Sequence, residues 1–559
     1  MTKNYPIKIL FFFSFFIVLN LINIFYTSNI SPDFKAYDDY FEQFYGIIEK
    51  TGRENGLIYF FLVTQLSHLL GAFKFFYYPE LIVSNAIHIV NGLLYLTGVL
   101  GLKNLLFLKG FNEKNIYTLL TILNFSPVAL KLIVTMKPEV LAFAFLPWVL
   151  YFFEIYNEKK ENKYLFLIIF PLVTILNSKA TIVASIGLLG LYLLGRFLKF
   201  ESLNKQLYYF LLLIFSLYLL IIYENYMYNS ITIFQHYPTG KQFFTVDQYV
   251  TFSFLYELNF KELISFPFKD VHANSLIGIL LLDTFGDYFQ WYENNSESLF
   301  SINELKFSQF WYFTHWRELS TVILSFLFYF ISFKYAKKFP KNSHYYLIYI
   351  FGLLPLMFIA YGDRSSYDFS DSELFKSHYY SYLLIISIAF VLASVFQSNL
   401  KLKFIISIFV FTNFIFILGF PKIITDEFSS YITVKNNTSV FCNFNNLFIN
   451  SKDKNCFDKE ITICNTDPIV EDVRYINYEE SYKKAKNVNI FPLKLVNENG
   501  SVVDVESLES CLKKVQNGYF IESKYKQIKI YPILNLVFFI LAILKLVFNK
   551  SILRLLYNK

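Results

Sequence analysis

Charge is what this sequence is most short of. Asp, Glu, Lys and Arg make up 17% of its 559 residues, against about a quarter in an ordinary globular chain, which excludes a large soluble protein. Cysteine is nearly absent: Cys442, Cys456, Cys464 and Cys511 are the whole supply, with 13, 7 and 46 residues between them. That spacing contains no Cys-x-x-Cys and the stretch has no His, which argues against zinc and leaves two disulfides in an oxidising compartment as the preferred reading, with three pairings open. There is no Walker motif and no Gly-rich phosphate loop, so an ATP-driven pump is excluded. The net charge of +7 is a modest excess that reports cytoplasmic loop bias, and nucleic acid is set aside as a partner.

What is present is apolar and aromatic: 55% hydrophobic residues, with 68 Phe and 44 Tyr. They fall in runs of roughly 17–25, the length a helix needs to cross a hydrocarbon core about 30 Å thick. Runs near 8–26, 81–100, 116–134, 139–156, 164–177, 180–198, 207–224, 318–336, 345–361, 379–397, 403–420 and 531–548 predict an all-α polytopic membrane protein of about twelve spans. With both termini in the cytoplasm, the basic connections, among them Lys103 and Lys109, Lys159 and Lys160, and Lys337 and Lys338, fall on the inner side. A further run, 57–73, would invert every later loop if it crossed, so it is read as interfacial or re-entrant. Formal charges are almost absent inside the spans, where Asn85, His88 and Asn91 form the main polar group, and an ion-coupled transporter usually needs more.

This topology leaves 27–79, 225–317 and 421–530 outside. The chain therefore divides into a membrane domain over 1–420, a small external α/β or β-rich domain over 421–530 that carries the cysteines, and a final helix with a cytoplasmic tail over 531–559.

Candidate chemistry gathers at the outer ends of the spans. Asp33, Asp38 and Asp39 follow the first span, and the stripe Tyr37, Tyr40, Phe41, Phe44, Ile47 and Ile48 has helical spacing that suits a helix lying on the membrane. Such carboxylates can act as a general base at the interface, or Asp33 can simply cap that helix. Lys131, Lys137 beside Glu139, and Lys179 stand in short external hairpins, against the positive-inside bias. Each could snorkel to headgroups, but several at one depth also suit a lipid phosphate. Arg364, Lys376 and His378 add to the same face. In the middle segment lie His272 and the pair Asp283 and Asp287, which share a face if helical and suit a sugar or a divalent metal; no cofactor is firmly implied.

Taken in order, these motifs resemble the GT-C superfamily of integral membrane glycosyltransferases, which includes the protein O-mannosyltransferases and the bacterial aminoarabinose transferases. Pro32-Asp33 with Ala36, Tyr37 and Tyr40 is similar to the Pro-Asp-Glu-x-Ala-His-x-x-Tyr pattern of bacterial members. Lys137-Pro138-Glu139 is similar to their Arg-Pro-Glu, Ser178-Lys179-Ala180-Thr181 to their Thr/Ser-Lys-x-Thr hairpin, and 376–380 to their basic approach to a late span. Phe34 and Tyr37 depart from the pattern, so Asp33 and the Asp38-Asp39 pair both stay open as base. The resemblance implies an inverting transfer from a polyprenyl-phosphate-linked sugar to a glycan, lipid or protein acceptor, at the outer face of the cytoplasmic membrane. Competing readings are an oligosaccharide ligase or polymerase of surface glycans, and a flippase or transporter of lipid-linked sugars without chemistry.

Overall fold

The computed structural model describes residues 5–25, 40, 55–69, 79–197, 205–229, 255–265, 267, 272, 275–286, 304–363, 377–398, 402–419, 493–496, 502–505 and 520–521. In chain order the helices are α1 (Tyr5–Phe25), α2 (Leu57–Leu69), α3 (Pro79–Leu108), α4 (Glu113–Leu123), α5 (Pro127–Val134), α6 (Glu139–Lys159), α7 (Lys163–Leu176), α8 (Ala180–Phe197), α9 (Lys205–Asn229), α10 (Phe260–Ser265), α11 (Leu276–Asp283), α12 (Glu304–Lys338), α13 (Ser343–Tyr346), α14 (Ile350–Asp363), α15 (Ser381–Gln397) and α16 (Leu402–Gly419). A 3-10 turn, Ser377–Tyr380, leads into α15. Three short strands, β1 (Leu493–Val496), β2 (Val502–Val505) and β3 (Phe520–Ile521), form an antiparallel sheet in the order β2-β1-β3.

Among the described residues four helical stretches are long and apolar enough to cross a membrane: Ala86–Leu108, Glu139–Lys159, Trp316–Lys338 and Ser377–Gln397. A fifth arises if α4 and α5 count as one span, bent by 61°. The run expected over 116–134 is therefore broken, and the cause is local. Pro127 has no N–H to give to a continuing helix, and Ser126 accepts a bond from Ala129 N at 3.2 Å, capping a new one. Of the run at 57–73, the described part is the helix α2, 13 residues over Leu57–Leu69. Its Tyr59, Phe60, Val63, Thr64 and Ser67 are fully buried, so it packs inside the protein and does not lie on a surface.

The bundle is built inside out relative to a soluble one. On α12, Ile323, Phe326, Phe330 and Phe333 are exposed, while Thr321, Ser325 and Ser332 are fully buried. Where the solvent is hydrocarbon, apolar contact gives helices no reason to associate, and close packing and polar contacts hold them. α15 is deeply enclosed, with every side chain from Ser381 to Val395 buried. α3 and α6 run side by side through small residues: a Cβ on Gly98 would collide with the Phe143 carbonyl, and one on Gly101 would reach Trp148 at 2.8 Å.

At the far end of α6 from Glu139, a buried charge cluster fastens the helices together. Glu154 meets Lys109 at 2.7 Å and His344 at 3.8 Å and accepts a bond from Tyr345 OH. Lys109 also lies 5.3 Å from the centre of the Tyr345 ring.

These contacts predict that Gly98→Val forces α3 and α6 apart and costs about 1–3 kcal/mol. Gly190→Ala, where an added Cβ meets nothing within 4 Å, should stabilise by roughly 0.5–1 kcal/mol through helix propensity. Thermal unfolding of both variants in lipid nanodiscs measures the contrast. Equal melting temperatures for the two would contradict the packing argument.

Candidate functional site

The site lies at the Glu139 end of α6. The chain leaves α5 at Thr135, and Pro138 starts α6 one residue after Lys137. This turn is fixed from outside: Asn91 of α3 donates to Ile133 O at 3.0 Å and Thr135 O at 2.7 Å, and accepts from Tyr59 OH of α2 at 2.9 Å. A second turn, Asn177–Lys179 between α7 and α8, is held by Gly56 N, which donates to Ser178 O at 2.6 Å. A Cβ on Gly56 would collide with Asn177, so that position has room for glycine alone.

These two turns meet the 3-10 turn before α15. Lys179 pairs with Glu139 at 3.4 Å and stands 4.1 Å from the centre of the Tyr379 ring. Lys137 stands 5.4 Å from the same ring and bonds to His378 Nε2. Both lysines are at most 5% exposed. One tyrosine thus serves as a cation–π surface for two buried ammonium groups. The second oxygen of Glu139, Oε2, is buried without a hydrogen-bond partner.

Next to this centre, Lys131 donates to Asp283 O at 2.7 Å and lies 3.8 Å from Asp283 Oδ1. Ser377 donates its backbone N–H to Asp283 Oδ2 and its hydroxyl to Asp283 O at 2.8 Å. Sequence separations of 152 and 94 residues are closed by this one node. On its other side Arg317 bonds to Glu318 through Nε at 2.8 Å. Glu318 Oε2 stands where a Cβ on Gly286 would come within 2.7 Å of it.

Six candidates named from the sequence, Lys131, Lys137, Glu139, Lys179, Asp283 and His378, therefore come together at one end of the bundle. α11 ends at Asp283, and Thr284, Phe285 and Gly286 form a turn, while Asp287, its expected partner on a helical face, lies outside the described residues. Asp283 is committed to Lys131 and Ser377. His272 lies before Ser275, the cap at the opposite end of α11, and is buried there. Asp33, Asp38, Asp39, Asp287, Arg364, Lys376 and the four cysteines lie outside the described residues. Among the described residues no three His, Cys, Asp or Glu side chains group as a metal site. Tyr59, Arg317 and Glu318 escaped the sequence reading; an Arg-Glu pair opening an apolar helix was the available signal.

Against known protein families, curated proteins and solved structures, this chain matches none.

The Lys131–Asp283 node makes a quantitative expectation. Lys131→Met or Asp283→Leu alone strands a charge in the interior and costs about 3–5 kcal/mol, whereas the double variant restores most of that. A double-mutant cycle by unfolding in mixed micelles should give a coupling above about 1 kcal/mol. Additive losses would mean the two groups do not compensate each other.

Proposed function

We propose that this chain is a membrane glycosyltransferase that moves a sugar from a polyprenyl-phosphate donor to an acceptor hydroxyl, with inversion, at the outer face of the cytoplasmic membrane. The observation that carries this reading is the buried cationic centre formed by Lys137, Lys179, His378 and the ring of Tyr379. Within the described cluster Lys131, Lys137 and Lys179 face two carboxylates, Glu139 and Asp283. The surplus of positive charge, in surroundings of low dielectric, suits an anion that gains charge as a bond breaks.

In the proposed step a carboxylate, Asp33 or one of the Asp38-Asp39 pair, takes the proton of the acceptor hydroxyl. The freed oxygen attacks the anomeric carbon from the face opposite the phosphate. The bond from that carbon to the phosphate oxygen breaks, and its electron pair leaves with the lipid phosphate towards the lysines. Covalent continuity supports this assignment of the base. Tyr40, the residue after Asp39, stacks on Phe60 at 3.9 Å and donates to Asn55 O at 2.9 Å. Gly56, next in the chain to Asn55, is bonded to Ser178 beside Lys179.

The same reading carries the finer topology: about twelve spans, both termini in the cytoplasm, and a disulfide-containing external domain over 421–530 before the last helix. The sheet β2-β1-β3 is the piece on which a β-rich external domain is proposed.

The test uses the full chain in lipid nanodiscs with a panel of radiolabelled polyprenyl-phosphate sugars, and water as fallback acceptor. The variant Lys137→Ala/Lys179→Ala should bind donor about 100-fold more weakly, since two charge-assisted contacts at roughly 1.5 kcal/mol each are lost. Asp33→Asn, or Asp38→Asn/Asp39→Asn, should keep donor binding and lose transfer. Undiminished donor binding in the lysine variant would sink the proposal, and movement of donor between leaflets without any transfer would favour a flippase.

A further inference from the structure

A patch of like charge lies at the end of α12 away from Arg317. No Asp or Glu occurs between Glu318 and Asp363, a stretch that holds Lys334, Lys337, Lys338 and Lys341. All four lysines are exposed, and among the described residues Lys334, Lys337 and Lys338 take part in no ion pair. Nearby carboxylates have lysines of their own: Glu154 is paired with Lys109, and Glu161 with Lys163. Complementing the helix dipole explains cations in a last turn, which here holds Lys337 and Lys338 but neither Lys334 nor Lys341. The patch is also held in place. A 3-10 turn, Pro340–Asn342, follows α12 at once, and Asn342 N donates to Phe339 O at 2.9 Å. The Tyr335 ring lies nearly parallel to those of Phe339 and Tyr346, at 6.0 Å and 5.9 Å between centres.

These lysines continue an apolar row. Ile323, Phe326, Phe330 and Phe333 are between 47% and 60% exposed, and their alternating spacing of three and four residues puts them on one helix face. The next step along that face is Lys337, with Lys334 and Lys338 beside it. At 1.5 Å per residue, Phe326 to Lys337 covers about 16 Å, which matches one leaflet of a hydrocarbon core about 30 Å thick. We infer that this face of α12 binds an anionic phospholipid, with its acyl chain along Phe326, Phe330 and Phe333 and its phosphate at Lys334, Lys337 and Lys338. Charge selects the class of lipid. A zwitterionic headgroup brings a cation of its own to four lysines, whereas an anionic one brings only the phosphate charge that they attract. The surface does not rest on the proposed transfer, because the cationic centre lies at the opposite end of the bundle, beyond Arg317 and Glu318.

The test is native mass spectrometry of the full chain in detergent, titrated with phosphatidylglycerol or with phosphatidylcholine of the same acyl chains. The native sequence should bind phosphatidylglycerol about tenfold more tightly. That preference should largely vanish in Lys334→Gln/Lys337→Gln/Lys338→Gln and survive in Lys334→Arg/Lys337→Arg/Lys338→Arg, which keeps the charge. It should also survive in Lys159→Gln/Lys160→Gln/Lys163→Gln, which removes as much charge from the same end of the bundle. Glycerol 3-phosphate should not displace the lipid, since it has no chain to lay on the phenylalanine row. Equal binding of both lipids by the native sequence overturns the inference, as does a preference that persists in the first glutamine variant. An equal loss in the two glutamine variants, or displacement by glycerol 3-phosphate, overturns it too. Lys137→Ala/Lys179→Ala should leave the preference unchanged while it weakens donor binding, so this inference and the transferase proposal can fail separately.

Discussion

An ammonium group buried among helices must be compensated, and that constraint organises the upper half of this molecule. Lys131 at 2% exposure would cost several kcal/mol if left alone. The compensation comes from Asp283, its carbonyl and its carboxylate, and Asp283 is in turn bonded by the backbone and hydroxyl of Ser377. One ion pair thereby fixes α5, α11 and the approach to α15 relative to each other. The neighbouring residues inherit that fix: His378 follows Ser377 and receives Lys137, and Tyr379 receives both Lys137 and Lys179. Without the Asp283 node, the turn that presents His378 and Tyr379 would have lost its anchor.

The geometry of the charged cluster is set by groups outside it. Asn91 satisfies two carbonyls at the end of α5 and is itself oriented by Tyr59. The arrangement places a fully bonded amide where α5 ends and its last carbonyls would otherwise be orphaned. Gly56 does the same for the Asn177–Lys179 turn by permitting close approach of one backbone to another. Both turns are therefore held by rigid helices, which is what a preorganised electrostatic site requires.

The parts of this arrangement that were legible in the sequence are those that break a rule locally. Lys137 and Lys179 stand out as lysines in short connections between apolar runs, and Glu139 and His378 stand out as polar groups at the ends of such runs. The structure brings these four side chains together. What was not legible was who pairs with whom. Asp283 reads as half of a carboxylate pair with Asp287 because the spacing is helical. The structure ends α11 at Asp283 and bonds its carboxylate to Ser377, 94 residues away, a contact that local periodicity does not announce. The bend at Pro127 and the burial of α2 were hidden for a related reason. An apolar run announces a hydrophobic environment, but it does not say whether lipid or protein provides it.

The two ends of α6 show that burial of charge serves different ends along one helix. At Glu154 the account closes: one lysine, one carboxylate, with His344 and Tyr345 filling the remaining contacts. Such a cluster holds helices together and asks for nothing more. At Glu139 the described groups carry three lysines against two carboxylates, and one Glu139 oxygen is unmatched. Arg317 and Glu318 cancel each other and do not alter the balance. A surplus charge in a poorly solvated place lowers stability unless something else neutralises it, and a bound anion returns that energy as affinity. Among the described residues the two ends of α6 thus differ in how their buried carboxylates are matched.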